Sequence, residues 1–183
     1  MLFLMGSATL IAFPLVGWLL TFVIPSSLGI TFSSIFKIEG GYFVFIPLFL
    51  SIGILFGLFV IWLTELNYFE QAMKPYKDLL SNYNLTTFYV FFLSICAGVG
   101  EEVFFRGVIQ PILGVWLTAF MFVAIHGYFS FKNKRINIFA ILLTLFIAFI
   151  GWASKSYSIW LAISAHFSYD LVLLFYYKRT NAK

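Results

Sequence analysis

Two adjacent carboxylates, Glu101 and Glu102, stand with Arg106 inside an otherwise apolar run from Gly98 to Pro111. A charged side chain near a bilayer centre costs about 2.5–3.5 kcal/mol on insertion scales, so charges there pair with one another or take part in chemistry. Read as helix, Glu102 and Arg106 are i and i+4, on one face and close enough to pair. Glu101 lies about 100° round the axis, from ~3.6 residues per turn, so that pairing leaves it free. His126, His166 and Asp170 stand inside later apolar runs, and the last two are again i and i+4. These residue types support water activation. A glutamate in a low-dielectric site is a competent general base. A nearby histidine can polarise the same water or protonate a leaving amine. A second histidine with a neighbouring carboxylate can stabilise the oxyanion of a tetrahedral intermediate, provided the imidazole keeps a proton for donation. The reaction that fits is amide hydrolysis inside a membrane.

The elements that must position these groups are transmembrane helices. The 183 residues are 62% hydrophobic and only 10% charged, with a mean hydropathy of +1.01, where a soluble domain is nearer one quarter charged. The fold class expected is therefore all-α: a polytopic bundle of about six spans with a buried polar active site. Residues 1–183 read as a single integral membrane domain with a motif-bearing core over about 87–177. The expected spans are Leu2 to Ile24, Tyr42 to Leu63, Thr87 to Gln110, Leu113 to Ser130, Ile138 to Trp152 and Tyr157 to Tyr177. The fifth is short for a hydrocarbon core of about 30 Å. Pro14 predicts a kink in the first span, and Gly53 and Gly57 have the spacing that lets helices approach closely. Thr64 to Thr86 predicts a short interfacial helix broken near Pro75. Pro25 to Gly41 is a polar connector, and Phe131 to Asn137 a basic loop. No basic region precedes the N-terminal apolar run, which is too long for a signal-peptide core and is expected to be a retained span.

At ~1.5 Å per residue, Glu101 lies about 13 Å in from Gln110, His166 about 13 Å in from Tyr157 and His126 about 20 Å in from Leu113. Three helices thus bring ionisable groups to one level near the midplane. Six spans also put eight of the 11 lysines and arginines on one side: those of the loops after spans two and four and of the C-terminus. That bias predicts both termini in the cytoplasm. It accounts for the net charge of +4 through membrane orientation, since no basic cluster is long enough for nucleic acid.

Competing chemistries find no support. The single cysteine, Cys96, excludes an intrachain disulfide and a Cys-based zinc cluster. No HExxH occurs, Gly98-Val99-Gly100 lacks the third glycine of a dinucleotide loop, and no Ser-His-Asp or Cys-His constellation is present. The Glu/His cluster also suits a proton-coupled transporter, or a non-catalytic peptide-binding or immunity protein. A transporter would add inverted repeats and broken helices in paired positions, and neither is seen.

Three short motifs carry a resemblance. Glu101-Glu102-Val103-Phe104-Phe105-Arg106, Phe122-Val123-Ala124-Ile125-His126 and His166-Phe167-Ser168-Tyr169-Asp170 follow the EExxxR, FxxxH and HxxxN/D order of the CAAX protease and bacteriocin-processing family, also called the Abi family, of intramembrane endopeptidases. The resemblance covers about Val99 to Leu174. It implies that Glu101 activates water with His126 as partner, that Glu102 and Arg106 pair to orient Glu101, and that His166 and Asp170 serve the oxyanion side. The last position is often Asn in this family, and an ionised Asp cannot donate, so Asp170 is expected to orient His166 as much as to act on substrate. The implied substrates are membrane-associated peptides or proteins, such as bacteriocin precursors, peptide signals or C-terminal anchoring tails. Six spans, against the eight of the eukaryotic prenyl-protein proteases, set the chain apart from those. Members are often called metalloproteases, and Glu101, His126 and His166 would then form a His2Glu zinc site with an open fourth position. The metal-free route is the one expected, because a zinc-bound Glu101 would leave Glu102, already occupied by Arg106, as the base.

Overall fold

With no water in a bilayer core to satisfy backbone groups, a spanning chain must bond them internally, as helices or a closed barrel. This chain takes the helix. The structure is a computed structural model and describes residues 1–24, 31–36 and 41–181, with no strand among them. Part of the expected Pro25 to Gly41 connector, with Lys37 and Glu39, lies outside the described residues, as does Lys183. The helices are α1 (Leu2–Thr21), α2 (Ile46–Glu65), α3 (Asn67–Ser81), α4 (Thr87–Phe104), α5 (Gln110–Ile125), α6 (Lys134–Ser156) and α7 (Ile159–Asn181). Short 3-10 turns occupy Phe32–Phe36 and Tyr42–Phe45, and a π-helical turn, Phe105–Ile109, joins α4 to α5.

Five helical segments are long and apolar enough to cross a membrane, and the third of them, Thr87–Ile125, runs through α4, the π turn and α5. That segment is not straight. Gly114 stands at φ 78°, ψ 169° inside it, a left-handed conformation that an L side chain resists. A straight helix would hold residues 101 and 126 about 37 Å apart at ~1.5 Å per residue. Instead Glu101 and His126 are in contact. The hairpin therefore turns at Gly114, a few residues beyond the Gln110–Pro111 boundary read from the sequence. The return leg ends at Ile125 rather than Ser130. Helix α6 runs back along that leg: the Gln110 amide donates to the Gly151 carbonyl over 2.9 Å, and the Tyr128 ring meets Phe139 at 5.2 Å.

Two other expectations need correction. Helix α6 has 23 residues and is not marginal, because the Asn133 side chain accepts from the Arg135 amide and caps a helix that starts inside the basic stretch. Helix α3 passes through Pro75 unbroken. The carbonyl that a proline leaves unbonded is that of residue i−4, here Gln71, and both residues are exposed. Phe69, Ala72 and Met73 on the other face hold α3 to the bundle. Helix α1 carries Pro14, where a kink is expected, inside one continuous element.

Small residues set the helix spacing around the site. A Cβ at Gly53 would collide with the Ala165 carbonyl and the Ser168 hydroxyl of α7, and one at Gly100 would collide with the Thr9 carbonyl of α1. Ser168 Oγ also donates to the Leu50 carbonyl over 2.9 Å. In lipid, where apolar side chains gain little by leaving the solvent, such close backbone approach is a main source of association. It presses α2 onto α7 and α1 onto α4, fixing the two helices that carry most of the charged cluster.

Candidate active site

Each charged group of the cluster is set by a different local device. Glu101 and Glu102 sit in the last turn of α4, and Arg106 follows in the π-helical turn. Single π turns inserted in α-helices recur at functional sites, and nothing in the residue pattern announced this one. His126 ends α5, and His166 and Asp170 lie on α7.

Glu102 is the hub. Its side chain is fully buried and so is that of Arg106, whose Nε lies 3.0 Å from Glu102 Oε2. The other carboxylate oxygen, Oε1, accepts from His166 Nδ1 over 2.9 Å. One buried carboxylate thus joins the π turn to α7. The Arg106 guanidinium also faces the Phe122 ring, 5.4 Å from its centroid, while Arg106 Nη1 and Nη2, Gln110 Oε1 and Thr118 Oγ1 are buried without hydrogen-bond partners among the described residues. His166 turns its second nitrogen, Nε2, toward Asp170 Oδ2 at 3.5 Å.

Glu101 faces away from this network. Its Oε2 lies 3.6 Å from His126 Nε2, with the glutamate side chain 13% exposed and the histidine 36%. His126 Nδ1 is 2.6 Å from the Phe122 carbonyl. A carbonyl only accepts, so Nδ1 carries the proton, and in the neutral ring Nε2 presents a lone pair to Glu101. Two acceptors facing each other so closely call for a donor, and a water seated beside the pair can donate to both. A water held in this way has its oxygen lone pairs free and a base beside it.

Phe122, the first residue of the FxxxH motif, had no role in the sequence reading. Its ring lies 4.6 Å from the His126 ring, roughly parallel, and 5.7 Å from the His166 ring, edge on. It is buried and separates the two imidazoles. The structure therefore brings Glu101, Glu102, Arg106, His126, His166 and Asp170 together from three helices and the π turn. The link from Glu102 to His166 could not be read from spacing, because it joins residues 64 apart in the chain.

The proposed zinc set does not fit this geometry. Among the described residues no three His, Cys, Asp or Glu side chains are placed to share a metal ion. His166 has a carboxylate at each ring nitrogen and so offers no free lone pair toward Glu101 and His126.

A cavity of about 290 Å³ opens beside the cluster, with Asp170 in its wall. Its lining is mainly apolar, from Met5 of α1, Val60 of α2, Met73 of α3, Cys96 of α4 and Leu173 of α7. Such a lining suits an apolar peptide segment better than a polar solute.

Comparison with known proteins agrees with the motif reading. The family model described as Type II CAAX prenyl endopeptidase Rce1-like matches residues 83–172, a stretch that contains all six ionisable residues of the cluster. No curated protein and no solved structure matches the chain. Residues 83–172 thus resemble the Rce1-like family, and that match indicates a protease. With five helices fit to cross a bilayer, the chain is an integral membrane protein.

Proposed function

We propose that this protein is an intramembrane endopeptidase that hydrolyses a peptide bond of a membrane-associated peptide or protein, using water activated by Glu101 and His126. The observation that carries the reading is the Glu101–His126 pair, with the proton fixed on the far nitrogen of His126 by the Phe122 carbonyl. Glu101 takes a proton from the bridging water as its oxygen attacks the scissile carbonyl. The same proton then goes to the leaving amine, directly or by way of His126 Nε2. His166, oriented by Glu102 through Nδ1, donates from Nε2 to the developing oxyanion by exchanging its long 3.5 Å contact with Asp170 for it. Arg106 holds Glu102 in its ionised, hydrogen-bonding form for that task.

Bacteriocin precursors, peptide signals and C-terminal anchoring tails are the substrate classes to try first. We place both termini in the cytoplasm on the lysine and arginine bias. The test is cleavage of a quenched-fluorescent library of membrane peptides by purified protein in detergent or nanodiscs. Wild type should cleave, whereas Glu101→Gln and His126→Ala should not. Equal cleavage by wild type and both variants would sink the reading. A wild type that cleaves nothing but carries protons across vesicles would move the function to transport.

A further inference from the structure

Helix α3 packs into the bundle core through Phe69 and Met73, and another of its residues reaches the corner that carries His126. Tyr76 Oη donates to the Gly127 carbonyl over 2.7 Å, and the Tyr76 ring stacks on Tyr128 at 4.9 Å. Gly127 follows His126 directly and stands at φ 78°, so α5 ends there and the chain swings away. The peptide that turns the corner is therefore held from both sides. The Gly127 amide donates to the Ala124 carbonyl over 3.0 Å, and its carbonyl accepts from Tyr76. Helix α3 is itself well anchored. Lys77 Nζ lies 2.6 Å from Glu65 Oε1, and the same carboxylate oxygen accepts from Tyr176 Oη over 2.7 Å. Burial pushes the Tyr76 hydroxyl above its usual range, so it stays a donor at any working pH.

We propose that Tyr76 is a positioning residue for His126, and that α3 acts through it as a splint for the water-activating pair. No other side chain hydrogen bond from α3 reaches the segment between α5 and α6 among the described residues. His126 is the more exposed member of the pair, held by its own turn and by Phe122, and so depends on where the helix end is fixed. A small tilt of that end changes the 3.6 Å spacing to Glu101 directly. This inference rests on the reading of His126 as part of the water-activating pair, and its readout does not need activity.

The chain has two histidines, His126 and His166, so nitrogen NMR of 15N-histidine-labelled protein in nanodiscs resolves the two rings. Tyr76→Phe keeps the stack on Tyr128 and removes only the hydroxyl. The expected result is that the His126 ring signals move while those of His166 stay. Turnover falls about fivefold, the scale of one neutral hydrogen bond, with KM unchanged. Tyr128→Leu, which removes the stack and keeps the hydroxyl, moves the His126 signals less. Unmoved His126 signals in Tyr76→Phe would overturn the proposal, as would equal shifts in both rings with a lowered melting temperature, which mark general loosening. If wild type cleaves no substrate, the protease reading fails while the spectra still decide this one.

Discussion

Glu102 Oε1 and His166 Nδ1 meet at 2.9 Å across two helices, and the same glutamate holds Arg106 through its other oxygen. Its neighbour Glu101 touches neither of these partners and faces His126 instead. Adjacent residues of one helical turn thus serve two environments, one closed and saturated, the other open to a bridging water.

The two glutamates should therefore fail differently. Glu101→Gln keeps the shape and leaves no buried charge unpaired, so melting temperature stays within a degree or two while turnover falls by about 10²–10⁴, the range of a lost general base. Glu102→Ala strands the buried Arg106 guanidinium, and breaking a buried pair in this way costs about 3–5 kcal/mol. Thermal unfolding in detergent, beside a turnover assay, separates the two. A stable, folded Glu102→Ala would contradict the hub assigned to that residue.

Phe122 should matter more than its apolar side chain suggests. Truncation to Ala removes the ring lying against both imidazoles and under the Arg106 guanidinium, and a buried Phe→Ala change costs about 3–5 kcal/mol. Phe122→Tyr keeps the ring but asks the packed site to accept a hydroxyl. The expected order of activity is wild type, then Tyr, then Ala, with the His126 and His166 NMR signals both displaced in the Ala variant. Signals unchanged in that variant would remove Phe122 from the site.

Much of this site was legible because membrane burial makes charge rare. Against an apolar background, Glu101, Glu102, Arg106, His126, His166 and Asp170 stood out by type, and i, i+4 spacing paired Glu102 with Arg106 and His166 with Asp170 before any coordinates. What spacing could not give was anything decided between helices. The Glu102–His166 bond depends on how α4 and α7 pack, and the position of the hairpin apex depends on one backbone angle at Gly114. The π turn is invisible in residue types because its cause is the loss of one hydrogen-bond register, not a composition. Helix ends failed for a related reason: the Asn133 cap drew Lys134 and Arg135 into α6, where hydropathy alone had assigned them to a loop.

Helix spacing gives a prediction that touches no charged residue. Gly53→Val would drive a side chain into the Ala165 carbonyl and Ser168 of α7, and backbone is not free to yield. Overpacking typically costs about 1–3 kcal/mol, and here α7 would be displaced together with His166 and Asp170. Lower melting temperature and lower turnover should appear together, with Gly53→Ala the milder of the two. Matching His166 spectra for Gly53→Val and wild type would show that α2 does not set the position of α7.

Asp170 should tolerate Asn better than Ala. Its contact with His166 Nε2 is 3.5 Å and its side chain is 22% exposed, so it is the looser of the two carboxylates that hold His166. An Asn carbonyl oxygen can still accept from His166, and its amide adds a donor that an ionised Asp lacks. If Asp170 serves mainly to orient His166, Asp170→Asn should keep turnover within about tenfold, and Asp170→Ala should lose more by freeing the ring. Equal losses in both variants would mean that the negative charge itself is required.

The zinc alternative turns on ligand geometry and one assay. A His2Glu zinc site needs three side chains directed at one point with a fourth position open. Here His166 meets Glu102 with one nitrogen and Asp170 with the other, and Glu102 is committed to Arg106. Turnover should therefore survive prolonged dialysis against a strong chelator, and purified protein should carry well under one equivalent of zinc by elemental analysis. Loss of activity on chelation with recovery on added zinc would reverse this. It would require His166 to leave Glu102 when metal binds, a change that its NMR signals would report directly.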